Sequence, residues 1–251
     1  FTAAKMAGET EALYDLASSR RVDLAAGGRI KVLYVIGQLS FGGAERQVAE
    51  LARRLPSDRY EPVVCCLSSG GPLADELTQA GVRVICIGKR GGVASGASLA
   101  ISRLARRERP AVMHSYLFSA NWRTLLVGRL ARVPLVITSV RNVDIHGSRL
   151  YTAAERLFAR LNDRVVANAQ AVKDYVAATH GISPDRISVI LNGVSAERVA
   201  SAAGRQEGEV SAEEETINAA GRRPTVLVVA SLTPKKDHLT LLAAASEVKE
   251  S

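Results

Sequence analysis

The chain has 251 residues, 47% hydrophobic, 23% charged and 4% aromatic, and 33 basic against 25 acidic side chains give a net charge of +8. At roughly 100–200 residues per domain this is one large domain or one with part of a second, and the globular proportions exclude disordered, collagen-like and coiled-coil chains. No apolar run reaches the about 20 residues that span a bilayer, because the stretch from Leu125 to Val140 is broken by Arg129, Arg132 and Pro134.

Residues 1–29 read as an N-terminal extension. Phe1 to Gly28 lacks the long apolar core of a leader peptide and carries Glu9, Glu11 and Asp15, as a surface extension or a fragment edge would. From Ile30 onward, short runs rich in β-branched residues alternate with stretches of helical period. The runs 30–36, 62–67, 82–87, 111–114, 134–138, 163–168 and 186–191 read as buried strands. Helices are expected over 44–55, 72–80, 97–108, 121–131, 148–161 and 171–179, the first on its stripe of Ala44, Val48, Leu51 and Leu55. Continuous apolar strands joined through helices predict an α/β fold over 30–193, a Rossmann-like parallel sheet with helices on both faces.

The texture changes after Asn192-Gly193. Residues 194–223 are rich in Ala, Ser, Gly and Glu, with Glu213, Glu214 and Glu215 in a row, and read as a linker or crossover. A fresh strand over 224–230 and a helix over 239–248 then open a second Rossmann-like unit, 224–251, too short to bury a core alone.

Cys65, Cys66 and Cys86 have neither metal-ligand spacing nor the even count of a disulfide framework. Set in apolar strand runs, they read as small buried hydrophobes of a reducing cytoplasm. The positive charge bears on partners: a phosphorylated small molecule, an anionic membrane surface or nucleic acid. Nucleic acid is disfavoured, since no aromatic-interleaved basic stretch or zinc-finger spacing occurs.

Four places could carry chemistry. Gly42 and Gly43 lie between the first strand and its helix, where bare backbone and free N–H groups favour close approach of an anion, although a plain tight turn needs the same residues. The pattern is neither GxGxxG nor a P-loop, which sets a nicotinamide dehydrogenase far behind. His114 closes the fourth strand run, at the rim where ligands of parallel sheets lie, as an acid–base group or as a ring bonded locally or packed on Trp122. Arg141 and Asn142 follow the fifth run; Arg141 could clamp a phosphate or pair with Asp144. Lys235 and Lys236 lie between the last strand and helix, where they could neutralise a diphosphate or simply be solvated.

In this order the segments GGAERQVAELARRL (42–55), HSYLFSAN (114–121), VVANAQAVKDYV (165–176), ISVILNGV (187–194) and VLVVASLTPKKDHLTLLAAA (226–245) resemble the family 4, or group 1, retaining GT-B glycosyltransferases. The likeness covers about residues 30 to 251. It implies two Rossmann-like domains with a cleft between them, the first for the acceptor and the second for a nucleotide-diphosphate sugar donor. It also implies transfer with retention of anomeric configuration, without cofactor or metal. Gly42 and Gly43 then match the loop that approaches donor phosphates and acceptor, His114 lies where many members place a functional histidine, and Arg141 and Asn142 fall in the next cleft-edge loop.

Lys236 matches the lysine that binds the donor diphosphate, but the arginine that often stands five residues earlier is Ser231 here. The family's paired-glutamate motif would fall beyond Ser251, so the chain is expected to be an incomplete piece, inactive alone. The alternative is a non-catalytic module that binds an acceptor or a partner without a donor site. The acceptor would be a sugar or a lipid-linked sugar of the cell envelope. Arg103, Arg106 and Arg107, at i, i+3 and i+4, form a basic face that is either solvated or in peripheral contact with an anionic membrane at its inner face.

Overall fold

The computed structural model describes residues 1–18, 28–68, 70–88, 94–142, 153, 156–197, 199–200, 228–230 and 237–250. The chain divides into two compact units, Phe1–Ala200 and Ser201–Ser251.

The first unit runs α1 (Ala3–Ser18), β1 (Ile30–Ile36), α2 (Gly43–Arg54), β2 (Tyr60–Cys66), α3 (Pro72–Gln79), β3 (Arg83–Cys86), α4 (Ala94–Glu108), β4 (Val112–Tyr116), α5 (Phe118–Leu130), β5 (Leu135–Val140), β6 (Arg164–Ala167), α6 (Gln170–His180), a 3-10 turn (Pro184–Arg186) and β7 (Ile187–Val189). All seven strands are parallel, in the order β3-β2-β1-β4-β5-β6-β7. The expected parallel α/β sheet is therefore present, with each strand within a few residues of its sequence run. Pro62 is tolerated inside β2 because β3 begins to pair only at Val63, so no ladder partner lies beside it on that side.

Alternate side chains of each strand enter opposite layers, as the two-residue pleat requires. Val32, Tyr34, Ile36, Val64 and Cys66 join Val48 and Leu51 of α2 and Leu73 and Leu77 of α3. Leu33, Val35, Val63, Cys65, Met113 and Val136 join Ile101 of α4 and Leu125 of α5 on the other face. Gly128 lets α5 lie close against β5, since a Cβ there would stand 2.6 Å from a methyl of Val136.

This winding has a consequence for residues 1–18. Right-handed crossovers that move outward from β1 in both directions put α2 and α3 on one face and the later helices on the other. The first face of β4, β5 and β6 is then left without a covering helix of its own. Helix α1 fills that place: Met6, Ala7, Tyr14 and Ala17 are buried in one cluster with Val112, Tyr116, Leu135, Ile137 and Val166. Thr2 bridges Val194, and Gly193 is needed beneath it because a Cβ there would come 2.5 Å from the Ala3 backbone. The segment expected as a surface extension is thus an integral layer of the domain. Its buried stripe, Ala3, Met6, Ala7, Thr10, Tyr14 and Ala17, consists mostly of small or polar residues, so the helical face is only weakly marked in the sequence.

Cys65 and Cys66 are buried as expected, and burial pushes the Cys65 thiol up to about 12. Cys86 corrects the expectation: it ends the edge strand β3 and is exposed. In the second unit the described structure is helix α7 (His238–Glu250), which matches the expected helix. Of the expected strand over 224–230 only 228–230 are described, and most of the linker over 194–223 and the 148–161 helix lie outside the described residues. Among the described residues no helix is long and apolar enough to cross a membrane.

Candidate functional site

Strand order reverses between β1 and β4, and the loops that leave the carboxyl ends there diverge to opposite faces, opening the crevice in which parallel α/β sheets hold ligands. At the end of β1 the chain turns through Phe41, Gly42 and Gly43 into α2. At the end of β4, Leu117 is held at a φ of 68°, an uncommon left-handed conformation for a side chain of its size. Asn121 ties the neighbouring strand ends together, accepting from Ser115 Oγ at 2.9 Å and donating to the Ser139 carbonyl at 3.1 Å.

Arg141 follows β5 and is only 9% exposed. Its Nη1 donates to Asn192 Oδ1 at 2.5 Å, its Nη2 reaches Ser139 Oγ at 3.5 Å, and its guanidinium lies 4.9 Å from the centre of the Tyr116 ring. Its Nε is buried without a hydrogen-bond acceptor, and among the described residues no carboxylate pairs with it. Behind it, Asn168 Nδ2 donates to the Arg141 carbonyl at 3.3 Å while Asn168 Oδ1 is buried and unbonded. Buried polar atoms of folded proteins nearly all find partners, so two orphans close together at one sheet edge stand out. Asn142 is exposed beside them.

His114 is placed differently from the sequence expectation. β4 continues two residues past it to Tyr116, because Ser115 and Tyr116 pair with β1 as well as β5. The ring is 1% exposed, packed against Tyr116 at 4.7 Å and against Tyr14 and Tyr34 at 5.9 Å each. Its Nδ1 meets Tyr14 Oη at 2.7 Å and its Nε2 meets Ser139 Oγ at 2.9 Å. Each ring nitrogen thus faces a hydroxyl, one as donor and the other as acceptor according to the tautomer, and Tyr14 Oη also bonds Tyr34 Oη at 3.0 Å. Burial first, and the Arg141 charge second, hold the imidazole well below its usual pKa. The neutral ring has no nitrogen free for a substrate. Its visible work is to join α1 to the strand that carries Arg141. Trp122, the other neighbour considered, packs instead near Phe158 and under Arg123.

Gly42 and Gly43 do open the start of α2. Gly43 is exposed, and a Cβ on it would meet nothing within 4 Å. Gly42 is more confined, since a Cβ on it would overlap the Glu45 carboxylate. Gln47, one turn further, holds the loop after β7 through bonds to both the N–H and the carbonyl of Gly193, at 2.7 and 3.0 Å. The structure therefore gathers Arg141 and Asn142 with Asn168 and Asn192 along one edge, with the glycine turn on the same edge and His114 in the core. Lys236 and Lys235 lie outside the described residues. Asn168 and Asn192 went unassigned from the sequence, although both follow apolar strand runs, the signal that singled out Arg141. Among the described residues no three His, Cys, Asp or Glu side chains come together as metal ligands would.

A doubly wound parallel sheet with a buried arginine and a bare glycine turn on its carboxyl edge is a Rossmann-like domain. The chain belongs to glycosyltransferase family 4, whose family model matches residues 41–198. Among solved structures the fold resembles a glycosyltransferase from Rickettsia africae, with 20% identity and a TM-score of 0.61 over 88% of this chain and 58% of that one. It also resembles HepE of Anabaena in complex with UDP, with 17% identity and a TM-score of 0.54 over 70% of this chain and 50% of that one. HepE with UDP and glucose gives 19% identity and a TM-score of 0.50 over 72% and 50%. The chain spans about half the length of the solved structures it matches. No curated protein sequence matches it.

Proposed function

We propose that this chain is the acceptor-side half of a metal-independent glycosyltransferase that moves a sugar from a nucleotide-diphosphate donor to a sugar or lipid-linked acceptor with retention of anomeric configuration. The observation that carries the reading is Arg141, a nine-tenths buried guanidinium with an unbonded Nε on the sheet edge. Among the described residues this buried charge has no counterion, which is costly, and a phosphate group of the substrate would supply one. UDP bound to HepE, a protein of similar fold, supports a nucleotide donor.

Breaking the bond from the anomeric carbon to the diphosphate leaves charge on the departing phosphate, so catalysis rests on positive groups and N–H donors already aimed there. Arg141 and Lys236 are those groups. The Gly42–Gly43 turn lets the substrate approach the backbone, Asn142 and Asn192 complete the edge, and closure with a donor-side domain excludes water. The 251 residues alone are then inactive. The exposed Arg103, Arg106 and Arg107 of α4, with Leu99 beside them, support peripheral contact of a cytoplasmic enzyme with an anionic leaflet. Sedimentation with anionic but not neutral vesicles tests that contact.

The central test measures transfer in a protein carrying both domains. Arg141→Ala is expected to lower kcat/KM about 100-fold or more, the usual cost of removing one preorganised donor. Gly43→Val should lower activity at unchanged thermal stability, because its side chain enters open space. Wild-type kinetics for both would overturn the assignment. Nucleotide-sugar turnover by the 251-residue chain alone would overturn the division of labour, and binding without transfer by the two-domain protein would leave the non-catalytic module.

A further inference from the structure

The β3 edge of the sheet carries two thiols that the proposed transfer chemistry leaves unused. Cys66, the last residue of β2, is in register with Cys86, the last residue of β3. Neighbouring strands run about 4.7–4.9 Å apart, inside the about 4.4–6.8 Å that a disulfide spans between Cα atoms. Both side chains lie on the same face: Cys66 is buried in the layer of α2 and α3, and Cys86 lines an open groove of about 500 Å3 with Ala74, Asp75 and Thr78 of α3. Cys65, next to Cys66 in sequence, enters the layer of α4 and α5 on the other face and is no partner for either.

The two thiols differ in access. Cys86 is exposed, whereas Cys66 is fully buried and its Sγ lies 3.3 Å from Ser68 Oγ. One sulfur is thus open to a small solute while the other stands directly beside it, the arrangement in which an oxidised thiol is captured by a resolving partner. Burial first, and then the Cys66 thiol, raise the Cys86 pKa, so the pair rests in its protonated form.

The backbone next to the pair leads to the glycine turn. Gly70, at a φ of 104°, closes over Cys86, since a Cβ on it would stand 3.2 Å from the Cys86 Sγ. Gly71 backs onto the segment after β1, where a Cβ would come 2.5 Å from the Leu39 carbonyl oxygen. That carbonyl accepts from the Leu73 N–H at 3.1 Å, and the Ser40 carbonyl accepts from the Gly42 N–H at 3.0 Å. Gly70 and Gly71 therefore stand between the thiols and the turn that enters α2.

We propose that Cys66 and Cys86 are a redox-active pair, closed by a peroxide to an intramolecular disulfide that fastens β3 to β2 and stiffens the backbone behind the glycine turn. The Cys86 thiolate attacks one peroxide oxygen, the O–O bond breaks, and the departing hydroxide takes up the proton that Cys86 had lost, leaving a sulfenic acid and one water. The Cys66 sulfur then attacks the Cys86 sulfur, the S–O bond breaks, and hydroxide leaves with the Cys66 proton as a second water. The two thiols together give up two electrons, which reduce the peroxide, and a dithiol reverses the step by exchange.

The 251-residue chain, reduced and then treated with hydrogen peroxide, tests this by intact mass and by tryptic mapping after free thiols are blocked. The wild type should lose the mass of two hydrogens, and a cross-link should join residues 60–83 to residues 84–89. Dithiothreitol should reverse both changes. Cys65→Ser should form the same cross-link, whereas Cys66→Ser and Cys86→Ser should form none. Cys86→Ser, at an exposed position, keeps the test open if Cys66→Ser does not fold. Hydrogen exchange of the amides of 70–73 and 84–86 should slow about threefold or more in the oxidised protein. Both thiols persisting at peroxide levels that oxidise free cysteine would overturn the pair. So would a Cys86 sulfinic acid beside an intact Cys66 thiol, a cross-link between two chains, or a disulfide that includes Cys65. Unchanged exchange in the disulfide form would overturn the stiffening. Neither readout requires sugar transfer, so the thiol pair and the glycosyltransferase reading fail separately.

Discussion

Tyr14→Phe removes one oxygen from the centre of the domain, and the structure sets what that oxygen is worth. Tyr14 is fully buried, and its hydroxyl bonds Tyr34 Oη at 3.0 Å and His114 Nδ1 at 2.7 Å. Phenylalanine fills nearly the same space, so the packing on the sheet persists and the loss is polar. His114 Nδ1 would be left buried without a hydrogen-bond partner, at a cost of about 1–3 kcal/mol. For a unit of this size, roughly 2–4 °C of melting temperature accompanies each kcal/mol, so about 2 kcal/mol lowers the transition by about 4–8 °C. Urea unfolding followed by circular dichroism measures the loss directly. In a His114→Leu background both partners are gone, and the same Tyr14→Phe change should cost well under 1 kcal/mol. Equal costs in the two backgrounds, or a wild-type-like transition for Tyr14→Phe alone, would refute the docking of α1 through this bond.

Three further outcomes follow from the same packing. Because His114 is neutral when folded and its pKa lies well below the ordinary value of 6.5, the unfolded chain binds more protons below that pH. Its contribution to stability is complete above about pH 6.5 and is lost as pH falls toward the folded pKa, so wild type should lose stability over pH 6.5–5 faster than His114→Gln; parallel curves would contradict it. Gly193→Ala should destabilise the domain by about 1–3 kcal/mol through overpacking against Ala3, while a variant lacking residues 1–18 should not feel the same substitution; chemical unfolding of the four proteins decides. A maleimide reagent should label Cys86 in the native protein and Cys65 and Cys66 only after unfolding, as peptide mass mapping would show; native labelling of Cys65 would contradict its burial.

Much of the fold was readable locally. Strand runs rich in Val and Ile, each followed by a stretch of helical period, specify parallel βα units wherever they occur, because a strand buried on both faces must be apolar throughout. The same logic put Arg141 at the carboxyl edge of the sheet, since it directly follows the apolar run of β5. It failed for His114 because Ser115 and Tyr116, polar and aromatic, look like the end of a strand. The ladder with β1 and β5 carries them two residues further and draws the imidazole into the core.

Composition, period and motif order by themselves determined a parallel α/β domain of the family 4 type with a polar edge, since these are properties of adjacent residues. Strand order, by contrast, is decided by pairing among segments far apart in the chain, and strand order is what leaves the first face of β4, β5 and β6 uncovered. Only the tertiary structure could therefore make a weakly patterned N-terminal segment a layer of the core, expose Cys86 on an edge strand, and bury Arg141 with no counter-charge among the described residues.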